Sequence, residues 1–227
     1  MLAIPDYKNL SPSEAVAMQK RMCESVSIST FKRQIKLIGG ADISFNKFEE
    51  IVYAGIVVLS YPDLTLVDKI TITANATFPY IPGLLAFREV PALTTAWNSL
   101  GIKPDVLVLD GHGIAHQRRM GIATHFGILT DMPTIGCAKS KLVGNYNEPG
   151  NKPFSKTQLT YKNEQVGFVL RTKINCQPVF VSPGNKISMD QSVDIIQNCV
   201  GRYRIPEPTR LAHQLVNEAR VAAGKAM

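Results

Sequence analysis

The pattern of apolar and polar positions predicts three strands in the first third of the chain. Apolar and polar residues alternate over 34–45, where Gly39 and Gly40 mark a point at which the backbone is approached closely. The nearly continuous apolar run at 51–61 predicts a central strand buried on both faces. The segment 64–76 alternates and is rich in β-branched residues. Because short turns join these segments, we expect an antiparallel meander.

Helices and short strands alternate through the rest of the chain. Helical spacing of apolar residues predicts helices at 11–26, 88–101, 114–133, 188–201 and 209–223. Capping boxes are predicted at two helix starts, by Ser11 with Glu14 and by Ser188 with Gln191. Short apolar runs predict strands at 105–110, 134–140 and 178–188, and a hairpin over 158–174 that turns at 162–164. This order predicts an α/β fold with a mixed sheet flanked by helices.

Length and composition narrow the class of protein. The 227 residues and the apolar fraction of 45% fit one globular domain, and no linker divides residues 1–227. No apolar stretch reaches the roughly 18 residues of a membrane span. The first residues lack the pattern of a secretory signal. The four cysteines do not have the spacing of zinc ligands, so we expect reduced thiols in the cytoplasm and no contact with a membrane.

The formal charge is positive, from 25 basic and 18 acidic residues, which gives +7. This excess favours a polyanionic partner such as nucleic acid. A basic protein without such a partner has the same charge, and the charge alone leaves both interpretations open.

Three acids stand at informative positions. Asp42 lies in an apolar strand after two glycines, Asp110 ends the predicted strand at 105–110, and Glu89 begins the predicted helix at 88–101. Each has an ordinary explanation, since aspartates favour turns and a helix start favours an acid. Together they indicate a cation site, because buried carboxylates at strand ends must be paired or bind a cation. Oxygen ligands without cysteine favour Mg²⁺ or Mn²⁺, with a phosphate as a further ligand.

Other polar residues are candidates beside these acids. Lys139 stands at the end of a short predicted strand. It either reaches a phosphate or an attacking water, or it is a solvated surface lysine. His116 is a candidate contact to a base or a residue that supports the site. His213 points away from the apolar stripe of the last predicted helix, so its side chain is available to a polar site. His112 and His125 are interpreted as ordinary, partly buried histidines.

Five blocks of sequence resemble the endonuclease V family, the deoxyinosine 3′ endonucleases. They are "GGADISF", "FPYIPGLLAFRE", "PDVLVLDGHGIAHQRRMGIATHFGI", "PTIGCAKSKLVG" and "YRIPEPTRLAHQ", and they extend from about residue 39 to residue 214. The resemblance implies a ribonuclease H-like fold. It implies that Asp42 and Asp110 bind metal and that Glu89 is the third acid of the site. It also implies that Lys139 assists phosphate chemistry and that His213 fills a metal-proximal position.

The resemblance also implies how a damaged base is recognised. Tyr80, in the segment Pro79-Tyr80-Ile81-Pro82, resembles the wedge that separates the strands at the lesion, with Ile81 as the alternative tip. The implied pocket for the base consists of Gly83, Leu85, Gly111, His116, Ile122 and Leu142. Basic residues near these motifs are candidate phosphate contacts, namely Arg118, Arg119, Lys141 and the segment 202–204.

The expected activity is hydrolysis of DNA that contains deaminated bases such as deoxyinosine. The family cuts the second phosphodiester 3′ to the base, with Mg²⁺ or Mn²⁺, and leaves a 3′-hydroxyl and a 5′-phosphate. Alternatives are an endonuclease for inosine-containing RNA, a structure-selective nuclease, and a nucleic-acid-binding module without activity. The expected assembly is a monomer.

Overall fold

The computed structural model describes residues 2–46 and 49–225. Within these ranges the strands are β1 Leu37–Phe45, β2 Ile51–Ser60, β3 Leu66–Asn75, β4 Val106–Leu109, β5 Thr134–Ala138, β6 Lys156–Tyr161, β7 Glu164–Leu170 and β8 Val179–Asn185. The helices are α1 Pro12–Cys23, α2 Leu85–Ser99, α3 Ile122–Thr130, α4 Met189–Asn198 and α5 Glu207–Lys225.

The strands form one mixed sheet in the order β3-β2-β1-β4-β5-β8-β7-β6. The meander of β1, β2 and β3 is antiparallel, as predicted. β4 runs parallel to β1, and β5 runs parallel to β4. The remaining strands are antiparallel, which makes the sheet mixed. The α/β class and the ribonuclease H-like sheet are therefore confirmed.

The central strand β4 shows why apolar runs predict strands buried on both faces. Val106 and Val108 pack into a core with α4, while Leu107 and Leu109 pack into another with α2 and α3. Side chains alternate along a strand, so both faces must be apolar. The next position in this alternation, Asp110, falls on the same face as Val106 and Val108.

Helix α5 packs closely on β1 because Gly40 has no side chain. A Cβ atom at Gly40 would lie 1.9 Å from the carbonyl oxygen of Pro208. Both predicted glycines are thus at a close approach, since a Cβ at Gly39 would lie 2.6 Å from Leu107. The contact brings His213 of α5 to the face of β1 that carries Asp42.

Several predicted boundaries are wrong. The helix predicted at 114–133 covers only Ile122–Thr130, and the preceding residues form an irregular loop in which Arg119 has a positive φ of 56°. This loop folds back, with the Gly121 N–H donating to the Gly113 carbonyl. Helix α2 begins at Leu85, so Glu89 lies inside the helix rather than at its start.

The capping boxes differ from each other. At α1 the box of Ser11 and Glu14 is complete, as predicted. At α4 the Ser188 hydroxyl accepts from the Gln191 N–H, but the Gln191 amide bonds instead to the backbone of Phe31. The predicted hairpin turn is present, with Lys162 and Asn163 both at positive φ between β6 and β7. In the described ranges, no helix has the length and apolarity to cross a membrane.

Candidate active site

Two carboxylates meet where β1 and β4 lie side by side. Ala41 pairs with Leu109 in parallel register, so Asp42 and Asp110 follow at the same edge of the sheet. The Asp110 N–H donates to the Ala41 carbonyl at 3.0 Å and ties the ends of the two strands together. Since both aspartates occupy the same phase of the alternation, both carboxylates face α5.

His213 and Lys139 complete a charged cluster with these aspartates. His213 Nδ1 is 2.6 Å from Asp42 Oδ2, and Lys139 Nζ is 2.5 Å from Asp110 Oδ2. One ligand atom from each of Asp42, Asp110 and His213 lies within 4.8 Å of the others. Only 10% of the Asp42 side chain and 12% of the Asp110 side chain are exposed.

Glu89 reaches the same cavity from α2. The cavity has a volume of about 280 Å³ and is lined by the aspartates, Glu89, Lys139 and His213, together with apolar residues. Burial raises the pKa of Glu89 to about 8, and the charge of Asp42 adds to this effect. Burial likewise raises the pKa of Asp42 to about 6, with Asp110 as the second cause. The three carboxyls therefore repel one another in partly desolvated surroundings.

The residues of this cavity fit a divalent cation. The oxygens of Asp42 and Asp110 are hard ligands of the kind that Mg²⁺ and Mn²⁺ prefer, and His213 offers a nitrogen. Burial is the largest cause of the raised pKa values of Asp42 and Glu89, and the negative charge of the neighbouring carboxylates adds to it. A cation relieves this repulsion, and Asp42, Asp110 and His213 are the residues placed to hold it.

A second cavity of about 260 Å³ adjoins the first. Glu89, Asp110 and Ile122 line both cavities. We call the second one the base cavity, and its lining includes all six residues implied for the pocket of the base, namely Gly83, Leu85, Gly111, His116, Ile122 and Leu142. Three glycines, Gly83, Gly111 and Gly121, line it together with apolar, polar and charged side chains.

The carbonyl oxygen of Gly83 is a meeting point of three side chains. It accepts hydrogen bonds from Gln19 Nε2 at 3.1 Å, His116 Nε2 at 3.1 Å and Arg118 Nη2 at 2.8 Å. The Arg118 Nε also donates to Gln19 Oε1. Gly83 itself has a φ of 79°, which favours glycine. The wall of the base cavity is thereby fixed to α1 and to the loop before α3.

His116 uses both ring nitrogens for this scaffold. Its Nδ1 accepts from the backbone N–H groups of Arg118 at 3.2 Å and Met120 at 3.4 Å, so the proton is on Nε2 and is donated to Gly83. Burial, and then the charge of Arg118, lower the pKa of His116 to about 4. The imidazole is therefore neutral near pH 7. Both of its ring nitrogens already make hydrogen bonds within the cavity wall, so neither is free to contact a base.

The segment between the two prolines presents Tyr80 to solvent. Tyr80 is 59% exposed, whereas Ile81 packs against the cluster of Phe78, Leu84 and Phe87. The Arg88 guanidinium donates to the Phe78 carbonyl at 3.1 Å and holds the start of the segment. Since proline restricts both its own φ and the preceding residue, the tyrosine is held outward on a stiff loop.

Comparison with known proteins identifies the family. The sequence model of the endonuclease V family matches residues 19–214. The chain belongs to the endonuclease V family. An endonuclease V of Gloeobacter violaceus is 44% identical over 217 residues, which cover 94% of this chain and 88% of that protein. These relatives indicate that the chain is a nuclease.

Solved structures of endonuclease V have the same fold. That of Streptomyces avermitilis is 36% identical and superposes with a TM-score of 0.91, covering 97% of this chain and 98% of that one. Endonuclease V of Ciona intestinalis is 28% identical with a TM-score of 0.82, covering 93% of this chain and 98% of that one. The Ciona protein is in complex with a 24mer DNA containing an inosine followed by a ribo-adenosine.

The endonuclease V resemblance anticipates most of the residues that the fold brings together, but some basic residues have other contacts. Arg118 is engaged with Gln19 and Gly83, and Arg119 pairs with Glu164. In the segment 202–204, Arg204 donates to the carbonyls of Gln177, Pro178 and Lys139. Sequence analysis missed Gln19 and this use of Arg204, because their partners are distant in the chain and no motif marks them.

Proposed function

We propose that this endonuclease V hydrolyses DNA containing deaminated bases, deoxyinosine foremost. It cuts the second phosphodiester 3′ to the base and leaves a 3′-hydroxyl and a 5′-phosphate. The observation that carries the proposal is the shared wall of Glu89, Asp110 and Ile122 between the cluster of carboxylates and the base cavity. One nucleic acid strand thereby places a base in one cavity and a nearby phosphate in the other.

The base reaches its cavity only after it leaves the stack. Flipping costs a few kcal/mol in a duplex and less for a mispaired base such as hypoxanthine. Tyr80, exposed on its stiff loop, is inserted into the gap and offsets part of this cost. The Ile81 side chain is partly buried against the cluster that contains Phe87. This packing favours Tyr80 as the tip of the wedge.

The chain's own residues then position the phosphate and the water. When bound, a divalent cation, Mg²⁺ or in its place Mn²⁺, would supply Lewis-acid polarisation of the phosphate and would make water there more acidic. Asp42, Asp110 and His213 would hold it. Glu89, from the opposite wall, orients the attacking water, and the Lys139 ammonium stabilises negative charge that develops on the phosphate.

A matched set of duplexes tests the substrate. Each duplex is end-labelled, carries deoxyinosine or deoxyguanosine at one position, and is incubated with Mg²⁺. We expect a nick only in the deoxyinosine strand, at the second phosphodiester on its 3′ side, and none in excess chelator. Equal cutting of both duplexes contradicts the choice of substrate. Efficient cutting of an undamaged branched duplex supports the structure-selective alternative instead.

RNA that contains inosine is the second candidate substrate. The Ciona relative is bound to DNA in which a ribo-adenosine follows the inosine, so the family site tolerates a 2′-hydroxyl at that position in that protein. Oligonucleotides of one sequence, with deoxyribose or ribose throughout, separate the two candidates by their kcat/KM. A higher value for the RNA makes the endoribonuclease the main activity.

A further inference from the structure

A third concave surface lies beyond the base cavity, on the edge strand β6 and the chain segment next to it. We call it the β6 groove, and its volume is about 560 Å³. It is lined by Asn145, Tyr146, Asn147, Lys156, Thr157, Gln158, Thr160 and Phe168. Neither the metal chemistry nor the recognition of the base uses any of these residues.

The groove lies next to the base cavity. Lys141 lines the base cavity, and its Nζ lies 5.7 Å from the ring centroid of Tyr146, which lines the groove. The cavity of the carboxylates shares three lining residues with the base cavity and none with the groove. The order along the surface is therefore carboxylates, base cavity, groove.

The rim of the groove is held in place by the backbone. The Asn145 N–H donates to the Thr160 carbonyl at 2.8 Å, and the Thr160 N–H donates back to Asn145 at 3.0 Å. The Thr157 hydroxyl donates to the Asn147 carbonyl at 2.6 Å. Gly144, with a φ of 91°, makes the approach possible, since a Cβ there would lie 2.6 Å from the Thr160 carbonyl. The groove is preformed and costs little ordering on binding.

The side chains of the groove suit an extended nucleic acid strand. Lys156 is exposed, with its Nζ 4.9 Å from the ring centroid of Phe168, and no residue of the lining is acidic. Asn145, Asn147 and Gln158 are exposed amides that donate and accept hydrogen bonds. A basic side chain in a groove of neutral polar residues is suited to the phosphate backbone of a single strand, with little sequence preference.

We propose that the β6 groove binds the nucleotides on the 5′ side of the base that enters the base cavity. The inference rests on the proposed function, which places the cut on the 3′ side. The strand then runs 3′ from the base cavity toward the carboxylates. The groove lies at the other end of this order, so it receives the 5′ flank.

Charge reversal of Lys156, combined with shortened substrates, tests the groove. Single strands with one deoxyinosine are made with both flanks long, with only the 5′ flank short, or with only the 3′ flank short. Lys156→Glu should raise KM about fivefold on the strand with long flanks, because a phosphate contact is replaced by repulsion. On the strand with the short 5′ flank it should have no effect, while the short 3′ flank should keep the full effect.

Lys69→Glu is the matched control. Lys69 is an exposed lysine on β3, at the opposite edge of the same sheet, and it should leave all three KM values unchanged. If Lys156→Glu acts equally on all three strands, or acts only through the 3′ flank, the assignment of the groove is overturned. Fluorescence anisotropy with the same strands in chelator measures the Kd without cleavage. An absent nick together with a Kd effect tied to the 5′ flank would refute the proposed reaction and leave the groove standing.

Discussion

At the scale of single residues, one carbonyl oxygen ties the wall of the base cavity to distant parts of the chain. Gly83 follows the wedge segment and lines the base cavity, and three side chains converge on its oxygen. Gln19 is fully buried, and its amide also donates to the Met120 carbonyl at 3.3 Å. A buried polar group with all its partners is rigid, so the segment 79–82 and the cavity wall are held as one unit.

Gln19→Ala should loosen this unit without touching the carboxylates. We expect KM for a deoxyinosine strand to rise about tenfold, since the loss of buried hydrogen bonds costs about 1–3 kcal/mol. The dependence of kcat on Mg²⁺ concentration should stay at the wild-type value. The control is Gln34→Ala, which removes the same amide from an exposed position. An unchanged KM, or a shift of the Mg²⁺ dependence instead, contradicts the positioning role.

Tyr80→Ala should weaken the preference for the lesion more than the chemistry. The exposed ring fills the gap left by the flipped base, so its loss should lower the ratio of kcat/KM for deoxyinosine over undamaged duplex by about tenfold. Cleavage of a single strand, which needs no opening, should fall less. Ile102→Ala, at another exposed apolar position, is the control. If damaged and plain duplexes lose activity equally, the wedge is assigned to the wrong residue.

The buried side chain of His125 should make the free energy of unfolding depend on pH. Its Nε2 is 2.8 Å from the Tyr7 hydroxyl, and full burial lowers its pKa to about 3. The unfolded chain binds a proton near pH 6.5, so the contribution of His125 is complete above that pH. As the pH falls from 6.5 toward 3, this contribution to the free energy of unfolding decreases by up to about 1.4 kcal/mol per pH unit.

Urea unfolding of the wild type and His125→Gln at pH 7 and pH 5 measures this effect. The difference in unfolding free energy between the two proteins should shrink at the lower pH, because glutamine does not titrate. The same difference at both pH values contradicts a neutral, buried imidazole at this position.

At the scale of elements, the active site depends on how closely α5 packs on β1. Gly40→Ala forces a Cβ against the Pro208 backbone, which cannot yield as a flexible side chain does. We expect a loss of about 3 kcal/mol in unfolding free energy. Cleavage should also fall, because the helix carries His213 away from Asp42.

Gly224→Ala in the same helix is the matched control. A Cβ at Gly224 meets nothing within 4 Å, so stability should stay within about 0.5 kcal/mol of the wild type. Thermal unfolding and single-turnover cleavage measure both effects. Wild-type activity and stability in Gly40→Ala would show that the close packing of α5 has no influence on the site.

Elements were predictable where local pattern and tertiary structure agree. The alternation in 34–45 and the apolar run in 105–110 predict β1 and β4. Strands inside a sheet are buried, so their side chains must be apolar and the pattern is visible in the sequence. The loop 114–121 has helical spacing of apolar residues but is not a helix. Its residues are buried by tertiary contacts, with the Ile114 N–H bonded to the Pro183 carbonyl. Such contacts leave no periodic signal in the sequence.

At the scale of the whole molecule, three adjoining concavities follow one edge of the fold. The carboxylate cluster could be anticipated from strand ends, and the residues that line the second cavity from the family resemblance. The wedge role of Tyr80 stays a prediction. The Gly83 hub and the β6 groove could not be anticipated, since each depends on residues that only the fold brings together. Lys141 lines the base cavity and Lys156 lines the β6 groove, 15 positions further along the chain.

The most direct test of the central claim is to map the cut made by the wild type and by Asp110→Ala. The substrate is an end-labelled duplex with one deoxyinosine, in Mg²⁺, under single-turnover conditions. The wild type should produce one nick, at the second phosphodiester 3′ to the deoxyinosine, with a 3′-hydroxyl that a polymerase extends. Asp110→Ala should fold, by circular dichroism, and produce no nick. Undiminished cutting by Asp110→Ala, or a wild-type cut at another position, would contradict the account.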